Sequence, residues 1–243
     1  MNTDNKIFND YEAMPPKSIN EPHQPVLLLC DTSDSMTGVP IRNLVASVNR
    51  FAADITRTQD VGELVDVSVV GFNDKPYLVQ DWRPANEMQP LELKAGGMTN
   101  LSAALEFSIA KLKERGHLYH KTGIDVKMPY LILITDGYGG DVTEVAKIIK
   151  QRTEERKMQL WILAVKGYDE KTVAVLSEGK RVFELVYEDG YDFSEFFNFM
   201  TVSIKAVSQS APGERIKVSD EDNPLKKEDS NLKVPDLNSW LND

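Results

Sequence analysis

Asp31, Ser33 and Ser35 alternate along the segment Asp31-Thr-Ser-Asp-Ser-Met36, directly after the apolar run Pro25-Val-Leu-Leu-Leu-Cys30. One carboxylate and two hydroxyls on a tight turn form a set of hard oxygen donors, the kind that suits magnesium or manganese. Two later segments carry matching chemistry: Gly96-Gly-Met-Thr99 and Ile134-Thr-Asp136-Gly137. Taken singly, each piece has an ordinary explanation. Asp and Ser are turn residues, Thr99 stands where it can cap a helix beginning near Leu101, and Asp-Gly is a common strand-end turn. The combination means more than its parts only if the fold brings the three together.

The elements that must do so are legible as apolar runs. Val26 to Cys30, Val65 to Phe72, Tyr130 to Ile134 and Leu160 to Val165 have strand length, and three are almost continuously apolar, as in parallel strands covered on both faces. Tyr77 to Trp82 follows Val65 to Phe72 through Asn73-Asp-Lys-Pro76 and is expected to pair with it as an edge hairpin; a sixth strand is expected at Arg181 to Val186. Helical spacing follows Pro40 (Ile41, Leu44, Val45, Val48, Phe51, Ile55) and Asn100 (Leu101, Ala104, Leu105, Ile109, Leu112). It recurs after Asp141, Asp169 and Asp192, the last opening the stripe Phe193, Phe196, Phe197, Met200 and Ile204, which reads as core. Strands alternating with helices predict a doubly wound α/β domain: a six-stranded, mostly parallel sheet with one antiparallel edge strand and helices on both faces. Ligands of such sheets bind beyond the carboxyl ends of the strands, where strand order reverses. The three oxygen-bearing segments are all expected at that end.

On these residues the chain resembles a von Willebrand factor A domain with a metal-ion-dependent adhesion site. The matching motifs are Asp31-x-Ser33-x-Ser35, Gly97-Met98-Thr99 and Asp136-Gly137, within residues 25 to 208. Asp31-Thr-Ser-Asp-Ser-Met-Thr-Gly-Val-Pro40, Val70-Gly-Phe-Asn73 and Leu133-Ile-Thr-Asp-Gly137 are similar to the bacterial TerY-type branch, the tellurite-resistance and stress-response class. The resemblance implies roles. Ser33 and Ser35 would bind the ion through their hydroxyls, Thr99 directly or through water depending on a partner, and Asp31 and Asp136 directly or through bound waters. Magnesium is the implied ion, with manganese or calcium as substitutes. Two of these five side chains carry charge, so the cation stays under-neutralised and can attract a carboxylate from a partner. Position 34 departs from the pattern: it is Asp where many members carry Gly, and Asp34 is expected to tune the site.

Bulk properties set the rest. A chain of 243 residues holds one large core. The formal net charge of −10, with no basic cluster, argues against nucleic acid or an anionic membrane surface as partner. The single cysteine, Cys30, excludes a disulfide framework. The N-terminus lacks a signal-peptide layout and no apolar run has the length of a membrane span, so the expected location is the cytoplasm. Residues 1–24 read as a loosely held polar arm, and residues 209–243 as a mostly disordered acidic tail. Within that tail Leu237, Trp240 and Leu241 share one helical face over 236–241. They are either a docking helix for another protein's groove or a segment packed on its own domain. His23, His117 and His120 have no catalytic or metal context, and the latter pair is expected in a solvated loop past a helix end.

The function expected is a metal-dependent protein-interaction module without catalysis. The TerY-type resemblance implies a bacterial stress or conflict system, with a protein kinase, a metal-dependent protein phosphatase or tellurite-resistance components as partners. The alternatives are a magnesium-dependent phosphatase or hydrolase, and a scaffold that binds through its tail. A haloacid-dehalogenase-type hydrolase needs a second Asp where this chain has Ser33, and no Gly-x-x-x-x-Gly-Lys phosphate loop is present.

Overall fold

Every residue of strand β1 (Gln24–Asp31) is buried, because parallel neighbours flank it and helices cover both of its faces. Those neighbours are β2 (Val65–Phe72) and β4 (Tyr130–Thr135), and the register runs through Cys30 opposite both Gly71 and Ile134. The computed structural model describes residues 14–57, 61–165, 167–186, 191–210, 223–227 and 230–241. Its sheet continues outward through β3 (Pro76–Pro84) on one side, and through β5 (Gln159–Ala164), β6 (Val182–Leu185) and β7 (Leu232–Lys233) on the other. The order is β3-β2-β1-β4-β5-β6-β7. Strand order reverses between β1 and β4, which puts the switch point beside Asp31.

Alternation along β1 divides the core. Val26, Leu28 and Cys30 face helices α1 (Val39–Thr56), α2 (Val61–Leu64) and α6 (Ser194–Gln209). Leu27 and Leu29 face α3 (Leu101–Thr122), α4 (Thr143–Glu154) and α5 (Glu170–Ser177). The stripe Phe193, Phe196, Phe197 and Met200 is core, as its spacing predicts.

Three expectations are corrected. The sheet has seven strands, and both edges are antiparallel, because β7 pairs with β6 (Leu185 with Leu232, Glu184 with Lys233). A two-residue strand has no readable period. It is set by contacts distant in sequence: the Glu195 carboxylate accepts from the Ser230 hydroxyl (3.0 Å) and the Asn231 amide (2.8 Å). Helix α3 runs on to Thr122, so His117 and His120 lie in its final turns, exposed, and not in a loop. The arm also ends earlier than expected, since His23 and Gln24 are fully buried. The reading of 1–13 as a loose arm and of 211–222 as disordered tail falls outside the described residues.

Of the two readings of the C-terminal segment, the structure adopts the self-packed one. Leu237 is buried among Val173, Ala174 and Leu176 of α5. Helix α7 (Asn238–Leu241) follows, and Trp240 donates its indole N–H to Glu170 (2.9 Å). Leu237 is therefore core and not a docking residue, Trp240 is half-exposed and already bonded, and the Leu241 side chain lies outside the described residues. Full burial of a leucine is worth roughly 1.5–3 kcal/mol. Deleting residues 231–243 removes both Leu232 and Leu237, and each kcal/mol costs a domain of this size about 2–4 °C. The expected outcome is a melting temperature lower by roughly 6–20 °C in scanning calorimetry; an unchanged value would refute self-packing.

No helix among the described residues is long and apolar enough to cross a membrane.

Candidate metal centre

Asp31 is the last residue of β1 and Thr135 the last of β4, and these strands are adjacent and in register. The register brings the Thr135 hydroxyl to Asp31, where it donates to Oδ2 at 2.7 Å. The other carboxylate oxygen, Oδ1, accepts from the Ser33 amide (2.9 Å) and the Ser33 hydroxyl (2.6 Å). The Ser33 hydroxyl oxygen lies 2.9 Å from that of Ser35. Four oxygen-bearing side chains thus form one connected line, from the fully buried Asp31 to the exposed Ser35. The set opens outward from the sheet.

The Gly96–Thr99 segment is fastened to this turn. Gly96 donates its amide to the Thr32 carbonyl (2.8 Å), and Asp34 donates its own to the Gly97 carbonyl (2.9 Å). In return the Asp34 carboxylate accepts from the Gly97 amide (3.1 Å). Asp74 accepts from the Met98 amide (3.3 Å) and lies so close to Gly97 that a β-carbon there would come within 2.4 Å of its Oδ2. Gly97 also has φ +87°, so a residue with a side chain is excluded twice. Helix α3 is capped by Asn100, whose side chain accepts from the Ala103 amide at 3.2 Å. Thr99 is therefore not spent as the cap.

The third segment closes the triangle. Gly139 accepts at its carbonyl from the Leu101 amide (3.4 Å), and a β-carbon on Gly139 would meet the Thr99 methyl at 2.9 Å. Asp136 accepts from the Tyr138 amide (3.2 Å), and its carbonyl accepts from the Asp169 amide (2.8 Å), which ties this loop to the start of α5. All three sequence-predicted segments are therefore neighbours, pair by pair, at the carboxyl end of the sheet.

The electrostatics of the site centre on Asp31. Burial pushes the Asp31 carboxyl above the ordinary carboxylate range, hydrogen bonds from Ser33 and Thr135 pull it back, and the negative charge of Asp136 pushes it up again. A divalent cation between the two carboxylates would reverse the last effect. Among the described residues no group of three or more His, Cys, Asp or Glu is placed to hold a metal. An ion here would thus depend on hydroxyls beside Asp31 and Asp136, which fits a hard cation that keeps part of its water.

Two participants have no signal in the motifs. Thr135 looks like one more β-branched strand residue, and only the β1–β4 register reveals it as a partner of Asp31. Asp74 lies in the hairpin turn Asn73-Asp-Lys-Pro76, where Asp needs no further explanation. Asp141 serves the start of α4, accepting from the Thr143 amide (2.9 Å) and hydroxyl (2.6 Å).

A family model described as von Willebrand factor type A domain matches residues 26–197. A search of curated proteins finds no match. Among solved structures, the pilus adhesin SpaC from Lactobacillus rhamnosus GG, in its open conformation, superposes with a TM-score of 0.58 at 16% identity, over 76% of this chain and 30% of that one. A von Willebrand factor type A protein from Catenulispora acidiphila gives 0.56 at 15% identity, over 76% and 43%. Proximal thread matrix protein 1 from the mussel byssus gives 0.52 at 16%, over 77% and 47%. This chain spans less than half the length of each of these relatives. At such identities the likeness is one of fold.

Proposed function

Because the chain belongs to the von Willebrand factor type A domain family, we propose that it is a protein-interaction module that engages an acidic residue of a partner through a magnesium ion. Ser33 and Ser35 hold the ion through their hydroxyls, Asp31 and Asp136 hold it or its waters, and Thr99 completes the set. The ion supplies an electrophilic position for an incoming carboxylate. The protein's own groups fix the geometry: Thr135 orients Asp31, and Asp34 holds the Thr99 segment against the turn. The observation that carries this reading is the unbroken line of side chains from buried Asp31 through Ser33 to exposed Ser35, close enough to Asp136 for its charge to act on Asp31. Such a line ends at solvent, where a partner can reach it.

The same reading makes the protein a binder and not a catalyst, with manganese or calcium as substitutes for magnesium. The TerY-type motifs support a cytoplasmic role in a bacterial stress-response or conflict system. A protein kinase, a metal-dependent protein phosphatase or tellurite-resistance components are the partners this implies. The tail scaffold is disfavoured because Leu237 is buried.

Calorimetric titration of the purified chain with magnesium chloride tests the ion. The expected outcome is a single site in the wild type, weakened by tenfold or more in Ser33→Ala, a loss of at least about 1.4 kcal/mol. Asp34→Gly, which removes one of the ties on the Thr99 segment, is expected to weaken binding less than Ser33→Ala. Equal heats in all three proteins would refute the site. Magnesium-dependent turnover of p-nitrophenyl phosphate that disappears in Ser33→Ala would replace a binder with a hydrolase.

A further inference from the structure

Two of the three loops that would surround the ion carry a large apolar side chain turned to solvent, and a third such side chain opens the helix after the remaining one. Met98, between Gly97 and Thr99, is 75% exposed, more than any other large apolar residue described. Tyr138, two residues past Asp136, is 56% exposed, and Val39, just beyond the Asp31–Ser35 turn, is 43% exposed. Single exposed apolar residues need no explanation. Two on loops that touch each other, with a third at the start of α1, are a different matter, because the loops' backbones are held by Asp34, Asp74 and the Leu101 amide. Methionine and tyrosine are also the side chains that adapt to, or anchor, a protein partner at low entropic cost.

The charges beside them narrow the partner. Asp34 and Asp74 are exposed and flank Gly97 from two sides. Each uses its Oδ1 on a loop amide. Their negative charge opposes any carboxylate brought to the ion unless the partner also brings a cation.

We propose that this surface takes a protein segment in which an Asp or Glu is flanked by an apolar side chain on one side and by a Lys or Arg on the other. The carboxylate goes to the ion, the apolar side chain to Met98 and Tyr138, and the cation to Asp34 and Asp74. This specificity rests on the ion-binding reading above.

A displayed random-peptide library, selected on the immobilised full chain in magnesium chloride and eluted with EDTA, tests it. The eluted pool is expected to be enriched in Asp or Glu with an apolar residue and a Lys or Arg close by. A synthetic peptide of the consensus is expected to bind Met98→Ser and Tyr138→Ser each roughly five- to thirtyfold more weakly than the wild type, the range of an interface anchor. Asp74→Asn keeps the acceptor for the Met98 amide and loses only the charge. It is expected to weaken the Lys- or Arg-containing peptide and leave its Gln-substituted version unaffected. An EDTA-released pool with acidic residues but no apolar or basic preference would overturn this inference and leave the ion standing. No EDTA-released peptide, together with no magnesium heat, would overturn both.

Discussion

EDTA is expected to lower the melting temperature of the wild-type chain and to leave that of Asp31→Asn unchanged. An ion that binds only the folded state adds RT ln(1 + [Mg]/Kd), about 2.7 kcal/mol at a hundredfold excess over Kd. For a domain of this size that is roughly 5–11 °C. The second half of the expectation is sharper. Without the ion, Asp31 is a buried carboxylate within the field of Asp136, and its proton affinity is raised by burial and, to a lesser degree, by that charge. A carboxyl whose pKa is higher folded than unfolded destabilises the fold once the pH is above both values, so at neutral pH Asp31 costs stability. The carboxamide introduced by Asp31→Asn would keep an acceptor for the Ser33 amide and would donate to the Thr135 hydroxyl oxygen, which loses its own acceptor there, while the repulsion would disappear. In EDTA, Asp31→Asn is therefore expected to melt at or above the wild type; in saturating magnesium, below it. Thermal scans of both proteins in both buffers would show the crossing. Parallel shifts of the two proteins would mean that Asp31 and Asp136 face no cation.

The three segments of the candidate site could be placed together from the sequence because they sit where periodicity changes. β1 and β4 are apolar runs that stop at Asp31 and Thr135, and a buried strand that ends in polar residues announces the end of a sheet. Parallel connections then place both ends on one side. What periodicity cannot carry is pairing. Thr135 meets Asp31 because of register, and Asp74 meets Gly97 because a hairpin turn folds back over the loop. The tail shows the same limit. Its helical spacing of Leu237 and Trp240 is real, but one apolar face serves a partner's groove and the chain's own α5 equally well. The side of the sheet on which Leu237 is buried depends on β7, whose pairing rests on Glu195 and Asn231 and on no pattern in its two residues.

His23 is the clearest case of a residue whose meaning is wholly tertiary, and it leads to a prediction of large effect. It belongs to a buried cluster at the other end of the sheet. The Asp66 carboxylate receives His23 Nδ1 at 2.9 Å, the Arg115 guanidinium at 3.1 Å and the Tyr119 hydroxyl, all three fully buried or nearly so. Arg115 also donates to the Met14 carbonyl (2.8 Å) and lies over the Trp82 and Tyr119 rings. Asp66→Ala leaves a buried guanidinium with no counter-charge, and breaking such a pair costs about 3–5 kcal/mol, or roughly 6–20 °C. Replacing the charges together, as Asp66→Val with Arg115→Met, is expected to recover only part of that loss, because no charge is left stranded but His23 and Tyr119 lose their buried acceptor. Acid separates this network from mere packing. Burial alone would raise the Asp66 pKa, but His23, Arg115 and Tyr119 outweigh it and hold the carboxyl below its ordinary range. A carboxyl with a lower pKa folded than unfolded stabilises the protein above its unfolded value, and that contribution disappears as pH falls through the folded one. The wild type's resistance to urea is therefore expected to weaken on acidification below about pH 4, while Asp66→Asn, lower throughout, loses less over the same interval. Identical slopes for the two proteins would show that the charge on Asp66 does not contribute to the fold.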